Sequence, residues 1–374
     1  MRLAQRITGV AAAVTLGAAL TGFATGPAAA QGAGSFIGQF HTLSTIASTV
    51  PGDGDVNPYG VAVVGQSMGK LTGGDVLVSN FNNGANVQGT GKTIMQVAPS
   101  GAVSVFAHIN PGHLPGACPG GIGLTTALEI LSGGWVVVGS LPTSHGGTVF
   151  TGPGCLLVLN SDGNVMETIS GHGLNGPWDM AAAQFGPFAE LFVTSVLNGT
   201  AAAAGKVVYR GTVQRLILAT SGDRPPRLVA STEIGSGFAE QPNPSALVLG
   251  PTGAGLGPDG TLYVADTRAN RIAAIPDAVL RFDDAGHGLT LTHRGSLNAP
   301  LGLLVAPNGD VLTVNGNNGK IVETTPGGRQ IATAQLDSSG SPPGAGALFG
   351  LAVAPGRSGV YYVDDATNTL NLLH

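Results

Sequence analysis

Of the 374 residues, 10% are charged, against roughly 25% in ordinary globular domains, while 43% are hydrophobic and 61 are glycine. The apolar share excludes a globally disordered chain, and beyond residue 30 no apolar run approaches the roughly 18 residues of a spanning helix, in spite of a mean hydropathy of +0.27. A formal net charge of −5 leaves no basic footprint for nucleic acid or an anionic membrane.

The chain opens with Arg2 and Arg6, an apolar stretch from Ile7 to Leu20, and a small-residue exit, Pro27-Ala28-Ala29-Ala30. This is the build of a secretory signal peptide over residues 1–30, followed by a single domain over 31–374. No Cys follows the segment, which excludes a lipid anchor there, and its removal takes away two arginines, moving the net charge to −7. Next comes a spare strand, Phe36 to Ile46, with nothing ahead of it to pair with.

Six copies of a four-strand pattern then follow, each strand separated from the next by turn chemistry. The first holds Pro58-Tyr59-Gly60-Val61, Asp75 to Ser79, Thr93 to Ala98 and Val103 to Ala107; the second Ala127 to Leu131, Trp135 to Gly139, Leu156 to Asn160 and Val165 to Ser170. The third starts at Pro177-Trp178-Asp179 and the fourth at Pro244-Ser245-Ala246-Leu247. The fifth is the clearest, with Pro300-Leu301-Gly302, Val311 to Val314, Lys320 to Glu323 and Gln330 to Ala334. The sixth, from Phe349-Gly350, stops after three strands at His374. Small residues of the first strands align at Gly60, Ala127, Ala246, Gly302 and Gly350, with Asp179 as the exception.

Units of this size bury their faces only against neighbours, and closing the set into a ring removes the ends. The predicted fold is all-β, a six-bladed β-propeller in which the N-terminal strand completes the last blade and covers a bare edge.

Several positions carry candidate chemistry. Asp179, beside Trp178, puts a carboxylate where the other copies have Gly or Ala, either as a backbone hydrogen-bond partner or as a ligand contact at the channel mouth. The second strands end at Asn80, Ser140, Ser195, Asp266, Gly316 and Asp365, an oxygen-rich set of the type that holds Ca²⁺ or Mg²⁺, although such residues also bond their own turns. Ser195 lacks the glycine elbow of a hydrolase nucleophile. Glu129 reads as a paired buried acid whose partner the sequence does not name. His108 and His113 flank Asn110-Pro111-Gly112 and read as a solvated turn rather than a metal site. In an exported chain, Cys118 and Cys155 are expected to form a disulfide. Long connections, Phe81 to Lys92, Leu141 to Gly154 and Asn198 to Lys206, gather on one face of the first three blades, where binding commonly resides.

Leu262-Tyr263-Val264-Ala265-Asp266, followed by Thr267 to Ile272, resembles the core of an NHL repeat, and Val360 to Asp365 with Asn368 is a second match. The chain is thereby similar to extracytoplasmic bacterial propellers, whose relatives include virginiamycin B lyase and gluconolactonase-like enzymes. The resemblance implies a metal held on the channel face by carboxylates, amides or histidine, but no His-and-Glu pair or Glu-Asn-Asn-Asp set lines up in this sequence. Two functions follow as expectations. One is a secreted, monomeric binding or scaffold module that takes a small molecule, glycan or protein on its long-loop face. The other is a metal-dependent lyase or lactonase centred on Asp179, Asp266 and Asp365.

Overall fold

The computed structural model describes residues 34–374, apart from 142, 145–148, 151, 221–223 and 244–246, so the signal segment lies outside the described residues. Among the described residues, five four-stranded sheets and one five-stranded sheet, all antiparallel, form the blades, and a two-stranded hairpin of Thr143–Ser144 and Val149–Phe150 stands apart from them. The first strands of the blades are Val56–Val63, Leu124–Leu131, Pro177–Phe185, Pro251–Leu256, Pro300–Val305 and Leu348–Val353. These touch in cyclic order, and the sixth returns to the first, so the sheets close into a six-bladed propeller around an axis.

The strands form because short runs of Val, Leu, Ile and Ala end at Gly-containing turns, and blade-on-blade packing buries both faces of a sheet. Val76, Leu77 and Val78 are fully buried, as are Val136, Val137 and Val138, so adjacent residues on opposite faces are both covered. This two-sided core accounts for the low charge and positive hydropathy.

Blade six is completed by Leu43–Ser48, which pairs antiparallel with Thr369–Leu373 from Leu43 opposite Leu373 to Ser48 opposite Thr369. The N-terminal strand therefore closes the ring, although it begins later than Phe36. Ile37–Gln39 is a 3-10 turn, because the Phe36 and Ile37 N–H groups are taken by the buried carboxylate of Glu323 in blade five.

Blade four begins seven residues later than the sequence pattern suggests. The outer strand of blade three runs from Arg227 to Asn243, and Leu247–Leu249 folds back onto it as a fifth strand. The stretch expected to start blade four thus extends blade three; Ala246 itself lies outside the described residues. The aligned position in blade four is Gly253, where an added Cβ would lie 2.3 Å from the Leu301 carbonyl oxygen. At Gly302 the same atom would lie 1.8 Å from the Phe349 oxygen, so neighbouring inner strands approach at these positions more closely than any side chain allows.

Cys118 and Cys155 form a disulfide with a Cα–Cα separation of 5.4 Å, tying the segment that enters blade two to that blade's third strand. Among the described residues no helix is long and apolar enough to cross a membrane.

Candidate functional site

In blades two to six the first residue of the inner strand pairs with the last residue of the second strand: Leu124 with Ser140, Pro177 with Ser195, Pro251 with Asp266, Pro300 with Asn315 and Leu348 with Asp364; in blade one, whose ladder runs one pair further, Pro58 with Asn80 is the corresponding pair. Two members of the expected oxygen set therefore shift by one residue: Asn315 replaces Gly316, and Asp364 replaces Asp365. In the fifth-blade ladder Asn315 faces Pro300 as Asn80 faces Pro58.

All six side chains at these positions are buried, and their bonds run to the protein itself. Asn80 donates to the Thr49 carbonyl. Ser140 accepts from the Gly123 N–H and donates to the Gly121 carbonyl. Ser195 accepts from the N–H groups of Asn175 and Gly176, and Asn315 accepts from that of Asn298. Each of these four pins the segment that enters its own blade. Asp266 is held by Arg271 Nε at 2.8 Å, and Asp364 accepts from the Thr367 N–H in its own turn. Asp365, one residue further on, is partly exposed beside Asp364. Burial, then the Asp364 charge, pushes its carboxyl up to about 7.

Asp266 and Asp365 stand in blades four and six, with blade five between them. Among the described residues no three His, Cys, Asp or Glu side chains gather as a metal site. With Asp266 engaged by a guanidinium, these donors do not fit the six to eight oxygens that Ca²⁺ requires. His113 lies in a short 3-10 turn capped by Asn110, and His108 sits 3.2 Å from Asp53 at the surface.

The axis is sealed at the long-loop end. Four residues near the starts of their inner strands, Tyr59, Trp178, Leu301 and Phe349, converge there and are at most 2% exposed. Tyr59 stacks on Phe349 with ring centroids 3.9 Å apart and on Phe81 at 4.5 Å, and Trp178 lies 5.5 Å from Tyr59. Leu141, Val196 and Leu247 cover this plug in the same apolar cluster. Trp178 is therefore part of a stopper, not a residue at an open mouth.

Beneath the plug lies an axial cavity of about 190 Å³, walled by residues of all six inner strands, among them Val61, Leu128, Met180, Ala254, Leu303 and Leu351. Towards the opposite face it widens into a mouth lined by Val63, Ile130, Leu304, Val305 and Val353. Two of its lining side chains ionise, Glu129 and Asp179.

Asp179 takes both backbone roles that its position offers. Its Oδ1 accepts from Met180 N–H at 2.9 Å, and its Oδ2 accepts across the blade boundary from Ala254 N–H at 3.1 Å. Glu129 accepts from the N–H groups of Ile130 and, in blade three, Ala182. Each oxygen so held keeps lone-pair capacity. Burial raises both carboxyls, Glu129 to about 7 and Asp179 well above the usual carboxylate range. The Glu129 charge adds to the rise at Asp179, so the two acids interact.

The fold is shared with solved structures of low sequence identity. A gluconolactonase from Xanthomonas campestris superposes with a TM-score of 0.54 at 14% identity, covering 88% of each chain. The calcium-binding protein regucalcin from Agrobacterium tumefaciens gives 0.53 at 12% identity, covering 89% of this chain and 93% of that one. Catalytically inactive virginiamycin B lyase from Staphylococcus aureus, with quinupristin, gives 0.50 at 14% identity, covering 88% of this chain and 98% of the other. The chain is thus a six-bladed β-propeller of the kind seen in gluconolactonase-like and virginiamycin B lyase structures. No protein-family model and no curated protein sequence matches it.

Proposed function

We propose that this protein is an exported binding propeller whose ligand site is the axial channel, entered from the face opposite the long loops. The observation that carries the reading is the placement of Glu129 and Asp179 on the wall of an axial cavity whose mouth is lined by Val63, Ile130, Leu304, Val305 and Val353. A concave site in which a few fixed polar side chains stand among apolar ones is the usual form of a small-molecule pocket. A cavity of roughly 150 Å³ in another protein holds benzene, so about 190 Å³ suits a ligand of about six to eight non-hydrogen atoms. Export is supported by the N-terminal segment pattern and by the disulfide, which suits an oxidising compartment.

This reading moves small-ligand recognition from the long-loop face to the other end of the axis, because the aromatic plug separates the two. The long-loop face keeps a second role as a platform for a protein or glycan, favoured by the disulfide that fixes one of its segments. The lyase or lactonase alternative calls for a bound metal, and the donor sets around Asp266 and Asp365 do not supply its ligands.

The test is NMR-detected binding of small fragments to the protein lacking residues 1–30, with Ala352→Phe, beside Val353 in the lining of the mouth, to narrow it. Binding that perturbs the inner strands and is abolished by Ala352→Phe is the expected result. Fragments that bind equally well to the narrowed protein would sink the proposal.

A further inference from the structure

The channel's chemistry selects a class of ligand, and the selection rests on the channel being the site. Every lining side chain other than Glu129 and Asp179 is Val, Leu, Ile, Met, Ala, Gly or Thr, and the Thr126 hydroxyl is already donated to the Trp178 carbonyl at 2.6 Å. The cavity therefore presents two carboxyl groups with spare lone pairs, no side-chain cation to balance them, and a wall of inner-strand backbone and small or apolar side chains between them and the mouth. We infer that it takes a small primary amine, with its ammonium group between Glu129 and Asp179 and its hydrocarbon body against Ile130, Leu304, Val305 and Val353.

The alternatives fit less well. An anion would be repelled by either carboxyl once ionised and would find no side-chain cation among the lining residues. A neutral apolar molecule would leave both carboxyls further desolvated without a donor, at a cost of the order of kcal/mol for each polar group left unpaired. An ammonium carries three donors and no acceptor, which matches two fixed acceptor groups. A divalent ion would need several more oxygens than the wall offers. The hydrocarbon body gains roughly 0.8 kcal/mol for each methylene buried.

Binding is linked to protons. The groups facing the ammonium are Glu129 from blade two and Asp179 from blade three; the lining residues of blades one, four, five and six contribute no titratable side chain. At low pH the pair holds protons that an ammonium must displace. Between pH 6 and pH 8, a carboxyl centred at about 7 goes from about one-tenth to about nine-tenths ionised, while an alkylamine stays charged. Affinity for an amine therefore rises about tenfold over that interval, with uptake of amine releasing protons to buffer.

The deciding experiment is calorimetric titration of the protein lacking residues 1–30 with n-butylamine, n-butanol and butyrate at pH 6 and pH 8. It is repeated on Glu129→Gln, on Asp179→Asn and on the narrowed Ala352→Phe variant. Butylamine is expected to bind best, about tenfold tighter at pH 8, and to lose at least tenfold in affinity in both carboxamide variants. Asp179→Asn serves if Glu129→Gln fails to fold. Butanol or butyrate binding as tightly as butylamine, or butylamine binding that ignores the carboxamide variants, overturns the amine assignment. If that binding still disappears in Ala352→Phe, the channel survives as the site. Binding unchanged by Ala352→Phe, or absent for all three probes, overturns the channel itself.

Discussion

Glu323, buried in the third strand of blade five, accepts a hydrogen bond from the Phe36 N–H at 2.6 Å, linking residues 287 positions apart. The same carboxylate accepts from Ile37 N–H at 2.9 Å and from the Ser35 hydroxyl at 2.5 Å. The segment ahead of the closing strand is thus anchored to blade five, next to the blade that the strand completes. Closure of the ring rests on strand pairing with blade six and on this carboxylate.

Glu323→Ala removes the acceptor for these three donors and for the Asn308 side-chain amide, and leaves two backbone N–H groups buried without partners. A loss of about 2–4 kcal/mol is expected from the usual cost of such orphaned groups. Denaturant unfolding measures it, and limited proteolysis should cut the variant near residues 34–42 first. A variant as stable as the parent and equally resistant at that end would show that strand pairing alone closes the ring.

Glu129 makes stability depend on pH. Its folded pKa of about 7 lies above the ordinary 4.5, so the folded state binds the extra proton between those values and the unfolded state does not. Stability is therefore greatest below about pH 4.5 and declines as pH rises to about 7, by about 3 kcal/mol if the whole shift is expressed. Glu129→Gln should remove this decline, making the variant more stable than the parent at pH 8 and little changed at pH 4.5. Urea titrations at the two pH values give the comparison, and a variant that loses stability at pH 8 contradicts it.

The disulfide encloses 37 positions of chain, for which loop-closure entropy gives about 3–4 kcal/mol of stabilisation. The double change Cys118→Ser with Cys155→Ser should lower stability by up to that amount. In the parent protein neither thiol should react with an alkylating reagent before reduction, which intact-mass measurement reads directly.

Asp266→Ala leaves the Arg271 guanidinium, which is only 8% exposed, without its ion-pair partner. Removing one member of a buried pair costs about 3–5 kcal/mol. The expected outcome is a large drop in melting temperature with no change in calcium content by elemental analysis. Calcium bound by the parent and lost from this variant would return Asp266 to the role of a metal ligand.

The repeat was readable from residue order alone, because strand length, apolar runs and turn residues are local properties that recur in each blade. Five of the six inner strands lie where the pattern puts them. The fourth does not, since the long outer strand of blade three and its added partner absorb the Pro244 to Leu247 region, and strand pairing across that distance leaves no local mark. The one-residue shifts at Asn315 and Asp364 have the same origin, as a ladder register is set by the partner strand.

The sequence by itself therefore determined a closed ring of six blades, the joining of its ends, the pairing of its two cysteines, and Asp179 as the residue out of pattern. Tertiary structure decided what that residue does. Whether the cavity beside Asp179 is closed at the long-loop end depends on Tyr59, Trp178, Leu301 and Phe349 meeting across the axis. Its interaction with Glu129, 50 positions earlier in the chain, likewise arises only when two blades pack side by side. Contacts at the centre of a ring join residues from every repeat, and their sum is fixed by closure, which no single repeat encodes.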